Sequence, residues 1–430
     1  MSLHPKGYDL SLDRITKLLA KLDNPQDKLP PVLHVAGTNG KGSFTAFARA
    51  LLEAEGYKIH VHTSPHLVSW HERFRIAHEN GGKLVEDHVL ANAIARVAAA
   101  NDGAEITVFE ILSVVMFLLF SEHEADVALI EVGLGGRFDA TNVITDPAAS
   151  IIMPVSLDHQ MLLGDTPAKI AFEKAGIIKR NCPTIISAQP FDDALETIIE
   201  QAEKNRSTYA VFGQDFAGFE EHGRFVYQDE NGLLDLPKPN LIGQHQFANV
   251  ATAIRAVKDA GFTVTQQSAE QAMRSVYWPG RMQELPHGAL EDHVSNLGAD
   301  IFIDGGHNPD AANIIVNTIQ QLDERPLYLI SAMLNTKEPY DFFEKFAGHI
   351  EHLITIDVVT SDAGIPADKL AEIANESGLT AQAEVDLVNA LNKIAVLYRA
   401  ADHDKPPRIL ICGSLYLVGD TLAQNGTPPR

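Results

Sequence analysis

The chain has 430 residues, of which 45% are hydrophobic and 21% charged, and this composition is typical of a globular protein with room for two or three domains. The 34 Lys and Arg residues against 57 Asp and Glu residues give a formal net charge of −23, which repels nucleic acid and anionic membranes, so a polyanionic ligand needs a local basic pocket. Two cysteines, no signal-peptide pattern and no apolar run of about 18 residues predict a cytoplasmic protein without disulfides or membrane spans.

A glycine-rich segment follows a predicted amphipathic helix and a predicted first strand. The segment reads Gly37-Thr38-Asn39-Gly40-Lys41-Gly42-Ser43 and leads into a second predicted helix. Its glycines allow backbone N–H groups to face a ligand, and Lys41 adds a positive charge where phosphate oxygens would lie. The segment departs from the Walker consensus at Val35 and Gly42. We interpret it as a variant phosphate-binding loop; the alternative is an ordinary turn.

Three polar residues follow predicted strands further along the chain. Ser64 comes after a strand over 57–62, Glu131 lies near the end of a strand over 125–132, and His159 follows a strand over 150–155. Ligands collect at the carboxyl ends of strands in parallel sheets, and P-loop enzymes hold magnesium with an acid at that edge. Glu131 is therefore the first metal candidate. The alternatives are a turn hydroxyl for Ser64 and a structural role for His159.

Two charged residues need an explanation from their surroundings. Glu110 lies in a predicted helix, 107–120, that is otherwise apolar on every face. An unpaired buried carboxylate is costly, so Glu110 should be paired, ligated or held in the positive first turn of the helix. Lys174 lies in a predicted helix over 167–178, and nothing in its immediate sequence distinguishes it from a solvated surface lysine.

The remainder alternates predicted helices and strands. Helices are predicted over 192–205, 246–260 and 268–276, with an antiparallel excursion within 211–236. The pattern breaks near 278–282, and we predict domains over 1–284 and 285–430. The second domain begins with a strand that ends in a turn carrying Asp304 and His307, and further strands are predicted over 327–332, 352–357 and 408–412. This alternation predicts an α/β fold with a mostly parallel sheet in each domain.

The order of these motifs resembles the folylpolyglutamate synthase/dihydrofolate synthase family of the Mur ligase superfamily. The matching motifs span residues 37–43, 63–67, 72–73, 107–110, 131–137, 139–142, 158–159, 173–176, 279–281, 304–309 and 413–416. The resemblance covers nearly the whole chain. It implies a P-loop-type Mur ligase central domain with a mostly parallel sheet, followed by a smaller Rossmann-like α/β C-terminal domain.

The resemblance also implies an ATP-dependent amide ligase. In this family ATP phosphorylates a substrate carboxylate, and the amine of L-glutamate attacks the acyl phosphate. The implied substrates are dihydropteroate or folates, glutamate and ATP. Two magnesium ions would offset charge on the transferring phosphoryl group. A potassium requirement stays open, and the family is generally monomeric.

Site roles follow by similarity, residue by residue. Catalytic roles are implied for Lys41, His159, Lys174 and Arg281. Nucleotide contacts are implied for Gly40, Lys41, Gly42, Ser43, Asn249, Arg281, Asp304 and His307. Metal binding is implied for Ser64, Glu131, His159 and Lys174, the last because it aligns with a lysine that is carbamylated in the family and so becomes an anionic oxygen ligand. Pterin contacts are implied for Asp9, Leu10, Ser11, Leu12, Thr107, Val108, Phe109, Glu110, Phe138, Asp139 and Ala140.

Three other functions stay open on the sequence alone. The enzyme could extend folate glutamate tails without making dihydrofolate, although the pterin-loop matches favour both activities. Another Mur-type amino-acid ligase would usually carry a nucleotide-sugar domain before the phosphate loop, and we expect none in the short stretch before Gly37. A nucleotide-dependent switch would need no second metal site and no equivalent of Lys174.

Overall fold

A computed structural model describes residues 11–429, and this part of the chain divides into two compact units. The first contains residues 11–240 and 246–277, and the second contains residues 241–245 and 278–429. The division falls between Tyr277 and Trp278, ahead of the predicted boundary at 284. The difference arises because Gln283–Glu284 forms a strand that pairs with the sheet of the second unit.

The first unit has a large sheet with helices on both faces and a small separate sheet. Its helices are α1 Asp13–Lys21, α2 Lys41–Ala54, α3 Asp87–Asn101, α4 Val108–Glu122, α5 Gln160–Leu163, α6 Pro167–Lys174, α7 Asp192–Lys204, α8 His245–Asp259 and α9 Gln266–Ser275. The strands of the large sheet are β1 Val32–Ala36, β2 Ile59–His62, β3 Phe74–Ile76, β4 Lys83–Leu84, β5 Val127–Glu131, β6 Ala149–Ile152, β7 Thr184–Ile186 and β8 Tyr209–Val211. The small sheet consists of β9 Phe216–Glu221, β10 Arg224–Asp229 and β11 Gly232–Leu236.

The large sheet has the strand order β4-β3-β2-β5-β1-β6-β7-β8. The pairs that join β2, β5, β1, β6, β7 and β8 are parallel, and only the β2–β3 and β3–β4 pairs are antiparallel. The predicted mostly parallel sheet is therefore confirmed. Every residue of β1, β2, β5 and β6 is buried, as expected for strands covered on both faces. The carboxyl ends of these four strands lie at one edge of the sheet.

Helix α4 forms the centre of the core on one face of this sheet. It packs with Ile15 of α1, Val97 of α3 and Ile130 of β5 in one apolar cluster. The predicted buried helix is confirmed, and no helix within residues 11–429 is long and apolar enough to cross a membrane. The opposite face carries a second cluster, which includes Ile170 of α6 and Ile198 of α7.

The small sheet is fully antiparallel, which confirms the predicted excursion. Helix α3 and the β3–β4 hairpin were not predicted. The two strands of the hairpin are very short, with only Phe74 buried among the residues of β3. They therefore lack the alternating pattern by which a strand is recognised in sequence.

The second unit is a smaller α/β unit. Its helices are α10 Pro309–Gln320, α11 Pro339–Glu344, α12 Ala367–Glu376, α13 Leu387–Ala400 and α14 Leu415–Gln424. Its strands are β12 Gln283–Glu284, β13 Asp300–Asp304, β14 Leu327–Ser331, β15 His352–Thr355, β16 Ala381–Ala383 and β17 Arg408–Cys412. The strand order is β12-β13-β17-β14-β15-β16, and all pairs except β12–β13 are parallel. The predicted strands are present, whereas β16 was missed because it is short and only half-buried.

Candidate functional site

The phosphate loop connects β1 to the N-terminus of α2. Gly40 precedes the helix with a φ of 84°, in the left-handed region that favours glycine, and Lys41 is the first helical residue. The Thr38 N–H donates to the Pro154 carbonyl at 2.8 Å, and the Thr38 hydroxyl donates to the Ser156 carbonyl at 3.1 Å. The segment after β6 thus holds the loop in place. The positive end of α2 is left at this edge of the sheet, where an anion can bind.

Asn249 of α8 lies directly against this loop. A Cβ atom added to Gly40 would lie 3.0 Å from the Asn249 Oδ1 atom. Asn249 is buried, and its amide donates to Gln246 Oε1 at 2.9 Å, which fixes the direction of the side chain. The structure therefore brings one predicted nucleotide residue next to the predicted phosphate loop, although the two are far apart in sequence.

Lys41 and Glu131 place opposite charges at the loop. The Lys41 ammonium donates to the carbonyls of Gly37 and Thr38 at 2.9 and 3.2 Å, and it lies 4.0 Å from Glu131 Oε1. The Glu131 side chain is only 6% exposed. The ammonium group is therefore held beside its own loop, close to where the helix N-terminus would hold phosphate.

Lys174 is buried, so its interpretation as a solvated surface lysine is wrong. The residue is 5% exposed, and its ammonium donates to the Gly37 carbonyl at 3.0 Å. Lys41 and Lys174 therefore converge on the same carbonyl oxygen. Lys41, which lies 4.0 Å from Glu131, and Lys174 bring two ammonium groups to the phosphate loop, and this is the local positive charge that a polyanion needs in a chain of this net charge.

The segment that carries Lys174 is fixed by close backbone packing. A Cβ atom on Gly136 would lie 2.6 Å from the Lys174 carbonyl oxygen. The Arg137 N–H donates to the Glu173 carbonyl at 2.8 Å, and the Asn142 amide donates to the carbonyls of Arg137 and Gly176 at 2.9 and 3.1 Å. Arg137 and Asn142 were quoted as parts of motifs but were not predicted as site residues.

Ser64 and Glu131 reach the same edge from neighbouring strands. β2 and β5 are parallel, with His62 opposite Ile130, and Glu131 is the last residue of β5. The Ser64 Oγ atom is buried, and among residues 11–429 it has no hydrogen-bond partner. A hydroxyl and a carboxylate are the hard oxygen ligands that magnesium uses, so these two residues fit a magnesium ion.

No group of three or more His, Cys, Asp or Glu residues within 11–429 could hold a metal ion. Magnesium sites commonly combine one or two protein ligands with substrate phosphates and water, so a magnesium site does not require such a group.

His159 follows β6, a neighbour of the strand that leads into the phosphate loop. β6 pairs with β1 on the side away from β5. His159 has a φ of 52°, which is uncommon for a residue other than glycine, and its side chain is 40% exposed with Nε2 3.9 Å from Asp158 Oδ1. Because the imidazole is partly exposed, a metal ion could reach it, and the metal role of His159 stays a prediction.

The predicted pterin residues differ in what they offer a ligand. Asp9 and Leu10 lie outside the described residues. Ser11 and Leu12 precede α1, where the Ser11 hydroxyl accepts a hydrogen bond from the Asp13 N–H at 3.1 Å. Val108 and Phe138 are 36% and 44% exposed and therefore present apolar surface, whereas Ala140 is buried.

Glu110 lies in the first turn of α4 and is paired, as its burial requires. It forms a capping box with Thr107, whose N–H donates to Glu110 Oε2 at 2.9 Å. The Nε group of Arg14 on α1 donates to Glu110 Oε1 at 3.2 Å. The carboxylate therefore caps α4 and joins it to α1, and its predicted pterin contact stays a prediction.

Asp139 holds the loop that follows β5. Its carboxylate accepts hydrogen bonds from the N–H groups of Gly133, Leu134 and Thr141 at 3.1, 2.9 and 3.0 Å. Burial raises the pKa of Asp139, and these donors act in the opposite direction. Because its oxygens are engaged in this way, we expect Asp139 to shape the pterin loop, and Phe138 to be the residue that contacts a ligand.

In the second unit, three predicted nucleotide residues cluster at the carboxyl end of β13. Asp304 accepts hydrogen bonds from the N–H groups of Met282 and Gly306 at 2.8 and 2.7 Å. Burial raises the pKa of Asp304, and the positive charge of Arg281 opposes that shift. His307 Nδ1 lies 2.8 Å from the Gly305 carbonyl, which requires a hydrogen on Nδ1.

Comparison with known proteins places this architecture in a family. The family model of the Mur ligase middle domain matches residues 35–257, and that of the dihydrofolate synthetase C-terminal domain matches residues 289–424. A folylpolyglutamate synthase from Lacticaseibacillus casei is 33% identical, over 94% of this chain and 92% of the relative.

Two solved structures share the fold over nearly the whole chain. The Escherichia coli FolC protein in complex with DHPP and ADP is 27% identical with a TM-score of 0.85, covering 98% of this chain and 94% of that one. A bifunctional folylpolyglutamate synthase/dihydrofolate synthase from Yersinia pestis, complexed with AMPPNP and a Mn ion, is 26% identical with a TM-score of 0.84, covering 98% and 95%. The chain belongs to the dihydrofolate synthase/folylpolyglutamate synthase family of the Mur ligase superfamily.

Proposed function

We propose that this chain is an ATP-dependent ligase that joins L-glutamate to dihydropteroate and to the glutamate tail of folates. The observation that carries the proposal is the convergence of Lys41, Lys174 and Glu131 on the phosphate loop. A switch protein would have no need for a second buried lysine at that position. The E. coli relative binds DHPP and ADP, and the same ligand classes are proposed here.

The chemistry requires activation of a carboxylate. The γ-phosphoryl group of ATP is transferred to a substrate carboxylate oxygen, which gives ADP and an acyl phosphate. The glutamate amine then attacks the acyl carbon, the C–O bond to phosphate breaks, and the amide forms as the amine loses a proton. Lys41 and the N-terminus of α2 would stabilise the charge on the phosphoryl group.

Magnesium would be held by Ser64 and Glu131, with His159 and a carbamylated Lys174 at a second ion. When bound, the ions would neutralise phosphate charge and orient the transferring group. An unmodified Lys174 is a cation that donates to Gly37, so its role as a metal ligand depends on the modification. The Mn ion in the Y. pestis relative supports a divalent metal in this family.

The decisive experiment supplies dihydropteroate and tetrahydrofolate separately, each with ATP, magnesium and glutamate, and weighs the products. A mass increase by one glutamate with both acceptors would support both activities, and an increase with tetrahydrofolate alone would indicate a folylpolyglutamate synthase. The Lys41→Ala variant is the control, because loss of its charge should lower turnover by at least about 100-fold. ATP hydrolysis that ignores both acceptors would contradict the proposal.

Two further expectations concern the state of the protein. We propose that it acts as a monomer in the cytoplasm, on small-molecule substrates, without nucleic-acid or membrane partners. The net charge of −23 supports the exclusion of polyanionic partners. A molar mass near 46.9 kDa by light scattering would agree with the monomer, and a doubled mass would contradict it.

A further inference from the structure

A chain of hydrogen bonds links the middle of β1 to the loop after β5. His34 is fully buried, and its Nε2 atom lies 2.8 Å from Thr141 Oγ1. The Thr141 hydroxyl in turn donates to Asp139 Oδ1 at 2.6 Å. The reaction proposed above uses neither His34 nor Thr141. A polar residue in an otherwise apolar strand was visible in the sequence, but its partner was not.

The donors and acceptors require a hydrogen on Nε2 of His34. Asp139 already accepts three backbone N–H groups, so it acts as a carboxylate, and Thr141 gives it the single hydroxyl hydrogen. Thr141 Oγ1 can then only accept from His34, which must carry its hydrogen on Nε2. Burial, and secondly the charge of Lys179, lowers the pKa of His34 to about 3, so the imidazole is neutral.

The same series of hydrogen bonds determines the shape of the loop after β5. Asp139 bonds to the N–H groups of Gly133 and Leu134, so it ties the end of the loop 133–139 to its beginning. This loop directly follows Glu131 and Val132, and it carries the exposed ring of Phe138. His34 belongs to the strand that leads into the phosphate loop. One buried imidazole therefore connects the strand beneath the phosphate loop to the predicted pterin loop.

We propose that His34 is a positioning residue for the pterin side of the site, an inference that rests on the proposed ligase function. Its neutral Nε2–H group orients the Thr141 hydroxyl, Thr141 completes the contacts of Asp139, and Asp139 holds Phe138 where the pterin ring binds. Without the imidazole donor, the loop loses one of its fixed contacts. Binding of the pterin substrate should then weaken, while binding of ATP should not change.

Four variants test this connection. The amide of His34→Gln reaches about as far as Nε2 and can donate to Thr141, whereas the amide of His34→Asn is too short, His34→Leu has no donor, and Thr141→Val has no hydroxyl. We expect KM for dihydropteroate to rise about tenfold in His34→Asn, His34→Leu and Thr141→Val, and to stay close to wild type in His34→Gln. KM for ATP should stay constant. The double variant His34→Leu/Thr141→Val should match the single ones, because each breaks the same connection.

The matched control is His60, another buried histidine in the same sheet. Its Nε2 lies 3.0 Å from the His123 carbonyl, and its Nδ1 accepts from the Ala77 N–H at 3.0 Å, so it has no link to the loop 133–139. His60→Leu should lower the melting temperature without raising KM for dihydropteroate. If His34→Leu does not fold, Thr141→Val and His34→Gln decide the question.

The outcomes separate the inference from the function on which it rests. Unchanged KM values for dihydropteroate in His34→Asn, His34→Leu and Thr141→Val of an active enzyme would overturn the inference alone. An equal rise in KM in His60→Leu would also overturn it, since the effect would then be general destabilisation. A wild-type chain that adds no glutamate to either acceptor would overturn the proposed function and this inference with it.

Discussion

Lys174 is buried, and its ammonium group contacts the phosphate loop instead of solvent. Its sequence neighbours predict a helix but contain no sign of burial, because the groups that it contacts, Gly136 and the Gly37 carbonyl of the phosphate loop, are distant in sequence. Only the family resemblance singled it out in the sequence. The structure provides an independent physical reason, since a charged ammonium is seldom buried without a specific partner.

Lys174→Ala should lower kcat by at least about 100-fold, because it removes a charged group from the edge where phosphate is transferred. If the lysine acts as a carbamate, added acetate or formate should restore part of the activity by supplying the missing oxygen ligand. The matched control is Lys169→Ala on the same helix, since that side chain is 64% exposed and pairs with Asp165 on the surface. Full activity of Lys174→Ala without added carboxylate would contradict the assignment.

One buried ion pair joins α1 to α4 beside the apolar contacts of the two helices. Arg14 is 21% exposed and Glu110 only 7%, so removing Arg14 leaves a carboxylate that is shielded from water. Arg14→Leu should lower the free energy of unfolding by about 2 kcal/mol, measured by denaturant titration, because the remaining charge loses its partner. The sequence identified Glu110 as a residue that needs a partner, but it could not identify that partner.

A second ion pair at the other end of α4 serves as the control for this prediction. Arg96 on α3 binds Glu122 in two contacts at 2.8 and 2.6 Å, but both side chains are well exposed, at 45% and 40%. Arg96→Leu should therefore cost less than about 1 kcal/mol. Equal losses in the two variants would show that burial does not set the strength of the Arg14 pair.

The sequence patterns predicted some helices and strands and missed others. Strands such as β5 and β13 were predicted because they are buried runs of apolar residues, and the periodic helices α7 and α9 were predicted within a few residues. β16 and the β3–β4 hairpin were missed because they are held mainly by pairing with neighbouring strands. For the candidate site, the sequence motifs predict which residues take part, but they do not predict the distant contacts of His34 and Lys174.

Buried histidines make the free energy of unfolding of the whole protein depend on pH. Burial lowers the pKa of His34 to about 3 and the pKa values of His60 and His62 to about 4, whereas the same groups titrate near 6.5 in an unfolded chain. Below pH 6.5 the unfolded state therefore binds more protons than the folded state, and acid favours unfolding. Burial raises the pKa of Asp139, so the folded state takes up this proton more readily than the unfolded chain does. Acid therefore favours folding through Asp139, but at pH values closer to the ordinary pKa of a carboxyl group.

The free energy of unfolding should consequently be nearly constant above pH 7.5 and fall below that, with a slope for each of these histidines that grows from about 0.7 kcal/mol per pH unit at pH 6.5 towards about 1.4 kcal/mol per pH unit near pH 5. Denaturant titrations at pH 7.5, 6.5 and 5.5 measure the slope. Glutamine cannot take up a proton, so the slope of the free energy of unfolding against pH should decrease in His34→Gln by the contribution of one histidine. His88→Gln, at a side chain that is 79% exposed, should leave it unchanged. A slope that stays the same in His34→Gln would mean that His34 gains its proton in the folded protein as readily as in the unfolded chain, contrary to its complete burial.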